Sequence, residues 1–162
     1  MSINNIVSTI NVNQGIEIVS NALSISDSYL AVASGTITPT QFKNITTDAI
    51  PLMSSPGVGK MLRLLSLFIW VDYESVQYTS GMPIRLAYSS TGQHASESIP
   101  ASFFTSYAES NYTEARPSTT QPLFISNAEN SGFSIDTVGG GSDFADGDSP
   151  IKWIIQYAVV SV

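Results

Sequence analysis

The sequence contains no cysteine, one histidine and few charged residues. Without cysteine there is no disulfide framework, no thiolate nucleophile and no cysteine-based metal site. Charged residues make up 12% of the chain and hydrophobic residues 43%, whereas a disordered chain combines high charge with low hydrophobicity. The composition therefore predicts a folded chain, and 162 residues are enough to bury the core of one domain.

Positive charge is also scarce. The six basic residues are scattered along the chain and the net charge is −7. Proteins that bind nucleic acid or attach electrostatically to membranes carry clusters of basic residues, and a helix that spans a bilayer needs about 20 apolar residues. Because the sequence has neither feature, it predicts no nucleic-acid partner and no membrane partner.

The first 35 residues contain no lysine or arginine and only two acidic residues. Apolar residues alternate loosely with serine and asparagine, which indicates extended strands and turns. We interpret residues 1–35 either as edge strands of the domain or as an arm that docks onto a neighbouring subunit. Residues 36–162 are then the main domain.

The most apolar part of the chain runs from Ile50 to Tyr73. It is predicted to form a hairpin, in which a turn over residues 54–60 leads into a long strand that starts at Met61. Its β-branched and aromatic end favours a strand over the rival interpretation, a buried helix. Simple alternation places Met61 on one face together with Leu65, Leu67 and Ile69. Because both faces are mainly apolar, the strand needs cover on both sides, and we predict a homo-oligomer.

Further strands are predicted over residues 82–88, 121–127, 132–138 and 151–162. In the last of these, Trp153 and Ile155 share the apolar face and complete the set predicted for the core or the subunit contact. Residues 40–44 are left open between a helical turn and a loop, residues 99–105 between a strand and a helix, and residues 106–119 are predicted to be irregular. Many short strands separated by turns predict an antiparallel all-β sandwich, jelly-roll-like in topology.

The run from Gly57 to Lys60 resembles part of a phosphate-binding loop but fails the full pattern. The pattern requires glycine where Ser54 stands and a hydroxyl residue where Met61 stands, and it opens a helix rather than a strand. We therefore interpret the run as a turn and predict no cofactor.

The sequence contains two other candidate sites. Asp143, Asp146 and Asp148 lie close together in a glycine-rich loop and are weak candidates for calcium ligands, although their spacing also fits a solvated loop. With exposed tyrosines they would suit a carbohydrate-binding module that recognises a host receptor, the alternative function. A hydrolase based on His94, predicted to lie in an exposed turn, is the weakest hypothesis because no nucleophile motif accompanies it.

Four stretches resemble a family of small virion structural proteins of tailed bacteriophages. They are AIPLMSSPGVGKML at 49–62, WVDY at 70–73, IRLAY at 84–88 and GDSPIKWIIQYAVV at 147–160. The resemblance covers residues 36–162. It implies a non-enzymatic β-sandwich protein of the phage particle, a trimer that decorates the head or belongs to a fibre or the tail. Its partners would be other capsid or tail proteins, and it would be assembled into virions in the host cytoplasm.

Overall fold

The structure, a computed structural model, describes residues 16–19, 22–25, 29–120, 123–139 and 141–162. The described strands are β1 (Ile16–Val19), β2 (Ala22–Ile25), β3 (Tyr29–Ile37), β4 (Ile50–Met53), β5 (Lys60–Val71), β6 (Tyr78–Thr79), β7 (Ile84–Tyr88), β8 (Asn111–Ala115), β9 (Phe133–Thr137), β10 (Ala145–Asp146) and β11 (Ile151–Ser161). The described helices are α1 (Pro39–Lys43), α2 (Ser102–Thr105) and α3 (Ile125–Ala128). None of these helices is long and apolar enough to cross a membrane.

Two antiparallel sheets form the body of the fold. The first has the strand order β3-β11-β5-β8 and the second has the order β4-β9-β7. Two small pairs, β1–β2 and β6–β10, accompany them. The predicted all-β sandwich is confirmed, while its jelly-roll connectivity stays a prediction.

The core lies where the two sheets face each other. Leu67 and Ile155 contribute from the first sheet, and Leu86 and Ile135 from the second, all four fully buried. The Tyr88 hydroxyl donates a hydrogen bond of 2.7 Å to the carbonyl of Leu62 and so links the two sheets. Burial raises the pKa of Tyr88 to about 12, so the hydroxyl stays a donor at neutral pH.

Aromatic side chains close one end of the sandwich. Phe42 of α1 stacks on Phe144 with ring centroids 4.3 Å apart, and Tyr78 and Phe104 pack against the pair. Helix α1 is held by a capping box between Thr38 and the residue three positions later, which satisfies backbone donors at the helix start. The segment 40–44, left open in the sequence, is therefore helical through residue 43.

The predicted hairpin at residues 54–60 is wrong. Strand β4 pairs with β9 in the second sheet, whereas β5 pairs with β11 and β8 in the first. The segment is a crossover between the sheets. Gly57 and Gly59 both adopt positive φ, +102° and +71°, a conformation that glycine enters without a steric penalty.

The prediction of which β5 side chains share one face is also wrong over the first half of the strand. Ser66 pairs with Gln156 and Leu64 with Tyr157, so Leu65 is an extra residue in the ladder. A β-bulge of this kind shifts the alternation by one residue. Leu62 and Leu64 therefore point into the core along with Leu67 and Ile69, although sequence alternation had separated the two pairs.

Two further expectations are corrected. The strand predicted over residues 121–127 is absent from the part described, where residues 125–128 form α3. The irregular segment 106–119 contains β8, which pairs with β5.

The division of the chain after residue 35 stays a prediction. Strand β3 crosses that position and pairs with β11 from residue 29 to residue 37. Residues 1–15, 20–21 and 26–28 lie outside the described residues, and the docking role of the arm stays a prediction.

Candidate assembly face

The four-stranded sheet has one face on the core and one face directed away from the second sheet. We call the latter the outer face. Neighbouring strands align its side chains in rows, because Trp70 pairs with Lys152 and Tyr112, and Phe68 pairs with Ile154. The apolar members of the outer face are Leu30, Val32, Phe68, Trp70, Tyr112 and Ile154.

These side chains reach solvent to an unusual degree. Leu30 is 67% exposed, Val32 66% and Tyr112 78%. Phe68 and Ile154, in the middle of the face, are half-buried, since their neighbours in the sheet flank them. Exposed apolar side chains grouped on one face of a folded domain mark a candidate interaction surface.

The outer face carries few charges. Arg63, beside Ala158, and Glu114, beside Phe68, are exposed on it. Lys152 forms a salt bridge of 2.7 Å with Asp72 at one end of the face. The Ser66 hydroxyl donates a hydrogen bond of 3.2 Å to the Gln156 side-chain oxygen across β5 and β11. A protein that covers this face would therefore have to pair the charges of Arg63 and Glu114 to keep the cost of association small.

The residues predicted for the core or the subunit contact divide into two groups. Leu67, Ile69 and Ile155 are fully buried and Trp153 nearly so, all within the core of this one chain. Met61 is half-buried and packs against that core. A role in subunit contact stays a prediction for these five.

Leu65, the sixth predicted contact residue, is 39% exposed at the bulge. Together with Arg63 and His94 it borders a pocket of about 200 Å³. His94 is half-buried rather than in an exposed turn, and it pairs with Ala87. Burial, and then the charge of Arg85, lowers the pKa of His94, so the ring is neutral at pH 7.

The three aspartates of the glycine-rich loop accept hydrogen bonds from different groups of the protein. The Asp143 carboxylate accepts hydrogen bonds from the backbone and hydroxyl of Thr46. Asp146 accepts one of 2.5 Å from the Thr79 hydroxyl, and Asp148 accepts from two backbone N–H groups of the β5–β6 connection. Across the described ranges, no three acidic or histidine side chains are grouped as metal ligands. The carboxylates thus tie the loop to its neighbours.

The sequence places Phe68, Trp70 and Ile154 on the second faces of their strands. It also offers Trp70 and Tyr112 for stacking on sugars, whereas Leu30 and Val32 were not singled out. The signal for Leu30 and Val32 is their alternation with Ala31 and Ala33, which places the larger side chains on one face of a strand. Tyr112 lies in a segment whose polar composition hid the short strand β8.

Comparisons with known proteins add little to the geometry. No protein-family model matches the chain, and no curated protein matches it. Among solved structures, the chain is similar to one described as "Cyanophage Pam1 capsid asymmetric unit", with 13% sequence identity and a TM-score of 0.49. The match covers 98% of this chain and 96% of that chain. At this level of similarity, function does not follow from the match.

Proposed function

We propose that the chain is a non-enzymatic structural component of a phage virion and acts through assembly with other subunits. The observation that carries the proposal is the apolar outer face, on which Leu30, Val32 and Tyr112 are all more than 60% exposed. Covering such a face removes apolar surface from water, the main favourable term in protein association. The resemblance of residues 36–162 to small virion proteins supplies the biological setting.

The partners are further copies of this chain and other capsid or tail proteins. The resemblance implies a trimer, and the place on the particle would be head decoration, a head fibre or a part of the tail. Residues 1–35 contain only two charged residues, both acidic. The part of them that precedes β3, where β1 and β2 pair only with each other among the described strands, is proposed to attach the protein to the particle.

The proposal is tested on particles purified from the phage that encodes the chain. Mass spectrometry should find the chain in the particles at a fixed copy number, and a cryo-EM map should show the outer face covered by another protein. Absence of the chain from purified particles would reject the virion role.

A matched pair of variants tests the face itself. Tyr112→Lys places a charge on the outer face, whereas Tyr107→Lys places the same charge at another exposed tyrosine, outside the sheet. Neither tyrosine is buried, so both variants should fold like the parent. Incorporation into particles should fall about tenfold or more for Tyr112→Lys only, in line with the loss of an interface hot spot. Equal incorporation of the two variants would remove the outer face from the proposal.

Carbohydrate binding is a second candidate, favoured by one observation. Tyr112 and Trp70 are direct neighbours on β8 and β5, and adjacent aromatic side chains on a flat sheet suit the apolar face of a sugar ring. The calcium-dependent form stays a prediction, and the three aspartates accept hydrogen bonds from different protein groups. A glycan array run with the parent and with Tyr112→Ala tests this function, and binding that is unchanged in the variant would exclude the Tyr112 site.

A further inference from the structure

We propose that the free edge of β3 pairs antiparallel with β3 of a second copy of this chain. The four-stranded sheet would then continue from one subunit into the next, around a two-fold axis that passes beside Ala33. The proposal rests on the assembly role proposed above but requires an even number of chains in place of the implied trimer. It adds the contact by which two copies recognise each other.

β3 is an edge strand with unused backbone groups. Its nine residues pair with β11 in one unbroken register. No backbone hydrogen bond outside this ladder involves residues 29–37 in the part of the chain that is described. An edge of this length presents a row of N–H and C=O groups that a further strand can pair with.

The other edges of the two sheets are protected. β4 contains Pro51 and an irregular register, and β8 is short and carries Glu114. β7 is covered by residues 93–99, which exchange backbone hydrogen bonds with Ile84, Leu86 and Tyr88. Proline, charge, shortness and cover are the usual means by which edges avoid pairing. The sequence of β3, YLAVASGTI, contains no charged residue and no proline, and the strand is nine residues long. Among the described strands none covers its free edge.

The sequence of β3 is also compatible with antiparallel pairing to β3 of a second copy. With the axis beside Ala33, Val32 stands opposite Ser34 of the second copy, and Leu30 opposite Thr36. On the other face the central pairs are small, Ala33 opposite Ala33 and Ala31 opposite Gly35, while the pair at each end sets residue 29, a tyrosine, opposite Ile37. The nearest cation of the sheet, Lys152 beside Thr36, is held by Asp72. No like charges therefore oppose the pairing, which would align the exposed Leu30 and Val32 of both copies on one extended outer face.

Two double variants, which place like or opposite charges at two exposed positions of β3, test the pairing. Residues 32 and 34 are both exposed on the outer face. In Val32→Lys/Ser34→Lys, each lysine at 32 would face a lysine at 34 of the other copy. In Val32→Lys/Ser34→Glu the same lysine would face a glutamate. The two variants lose the same valine and differ only in the sign of the charge at 34.

The oligomer mass and the dissociation constant are measured by light scattering and analytical ultracentrifugation of the full chain. The parent and the Lys/Glu variant should associate in even numbers, whereas the Lys/Lys variant should dissociate with a Kd about tenfold or more higher, since directly opposed cross-strand charges attract or repel by sign. The difference should shrink in about 0.5 M salt because of screening. Equal thermal unfolding of both variants would show that the fold is intact.

Three results would overturn the proposal. The first is a monomeric parent, which would leave the edge to another occupant such as β2 of the same chain, only three residues before β3. The second is a parent mass of three chains, since a two-fold pair requires an even number. The third is equal association of the two variants. If the chain is nevertheless present in purified particles, the virion role stands and only the β3 contact is rejected.

Discussion

The two faces of the four-stranded sheet are built from neighbouring residues of the same strands, yet they serve different ends. On β11, Ile155 is fully buried in the core while Ile154 is half-exposed on the outer face. On β5, Ile69 and Phe68 show the same contrast. Apolar composition alone therefore does not separate a folding surface from a docking surface. What separates them is which face the second sheet covers.

The largest expected effect comes from comparing the two isoleucines of β11 directly. Ile155→Ala should lower the free energy of unfolding by about 2–5 kcal/mol, because it opens a cavity in a packed core. Ile154→Ala should cost the isolated chain below about 1 kcal/mol, because its side chain already meets solvent. Urea unfolding of dilute protein measures both values. Equal losses would show that the outer face contributes to folding as much as the inner face does.

The inner face is also sensitive to added volume. A Cβ atom at Gly35 would lie 2.6 Å from Cζ2 of Trp153, too close for either group to stay in place. We expect Gly35→Ala to cost about 1–3 kcal/mol through overpacking and to shift the Trp153 fluorescence. Ser34→Ala, the adjacent change on the outer face, should stay within about 0.5 kcal/mol. If Gly35→Ala unfolds at the parent temperature, β3 is less closely packed on the core than the structure shows.

The hydroxyl groups of Tyr88 and Tyr112 provide another comparison between the inner and outer faces. Tyr88→Phe removes the donor that reaches the Leu62 carbonyl between the sheets and should cost about 1–3 kcal/mol, because a buried acceptor loses its partner. Tyr112→Phe on the outer face should leave stability unchanged. Chemical unfolding of the two variants at pH 7 provides the measurement. An unchanged Tyr88→Phe would mean that water replaces the lost hydroxyl.

The smallest expected effect lies at the end of the sandwich, on neither face. Hydrogen bonds from the Ser75 hydroxyl, and then from the Val76 backbone, lower the pKa of Asp148 from 3.8 to about 2. Because the folded state favours the ionised carboxylate, this contribution is fully present above pH 4 and is lost as the pH falls towards 2.

The Asp148→Asn variant should show a shallower decrease in thermal unfolding temperature between pH 4 and pH 2 than the parent. Asp146→Asn in the same loop is the control for the removal of a charge. Parallel decreases in the parent and in the Asp148→Asn variant would contradict the assignment.

Much of the fold could be predicted from local pattern. The alternation of Trp153 and Ile155 with Lys152, Ile154 and Gln156 indicated β11, and the β-branched and aromatic end of β5 indicated a strand. The need for cover on both sides of β5 followed from its two mainly apolar faces. Helix α3 was missed because apolar residues of a short segment, such as Ile125, suit a strand equally well in isolation.

The candidate site was predicted only in part. Phe68 and Trp70 followed from the apolar second face of β5, whereas Tyr112 and Leu30 come from strands that lie on opposite edges of the sheet. That these residues share one face depends on the order of the strands in the sheet, which brings together residues far apart in the chain. Alternation along one segment carries no information about that order.

The sequence by itself determined that the chain is an all-β protein of low charge, with more apolar strand surface than one core uses, because alternation and composition are local properties. The tertiary structure decided which side of each strand is buried. The bulge at Leu65 moves Leu62 and Leu64 into the core, and the crossover at residues 54–60 sends β4 and β5 to different sheets. Both depend on pairing with distant strands, and hydrogen bonds between distant strands fix register only when the chain is folded.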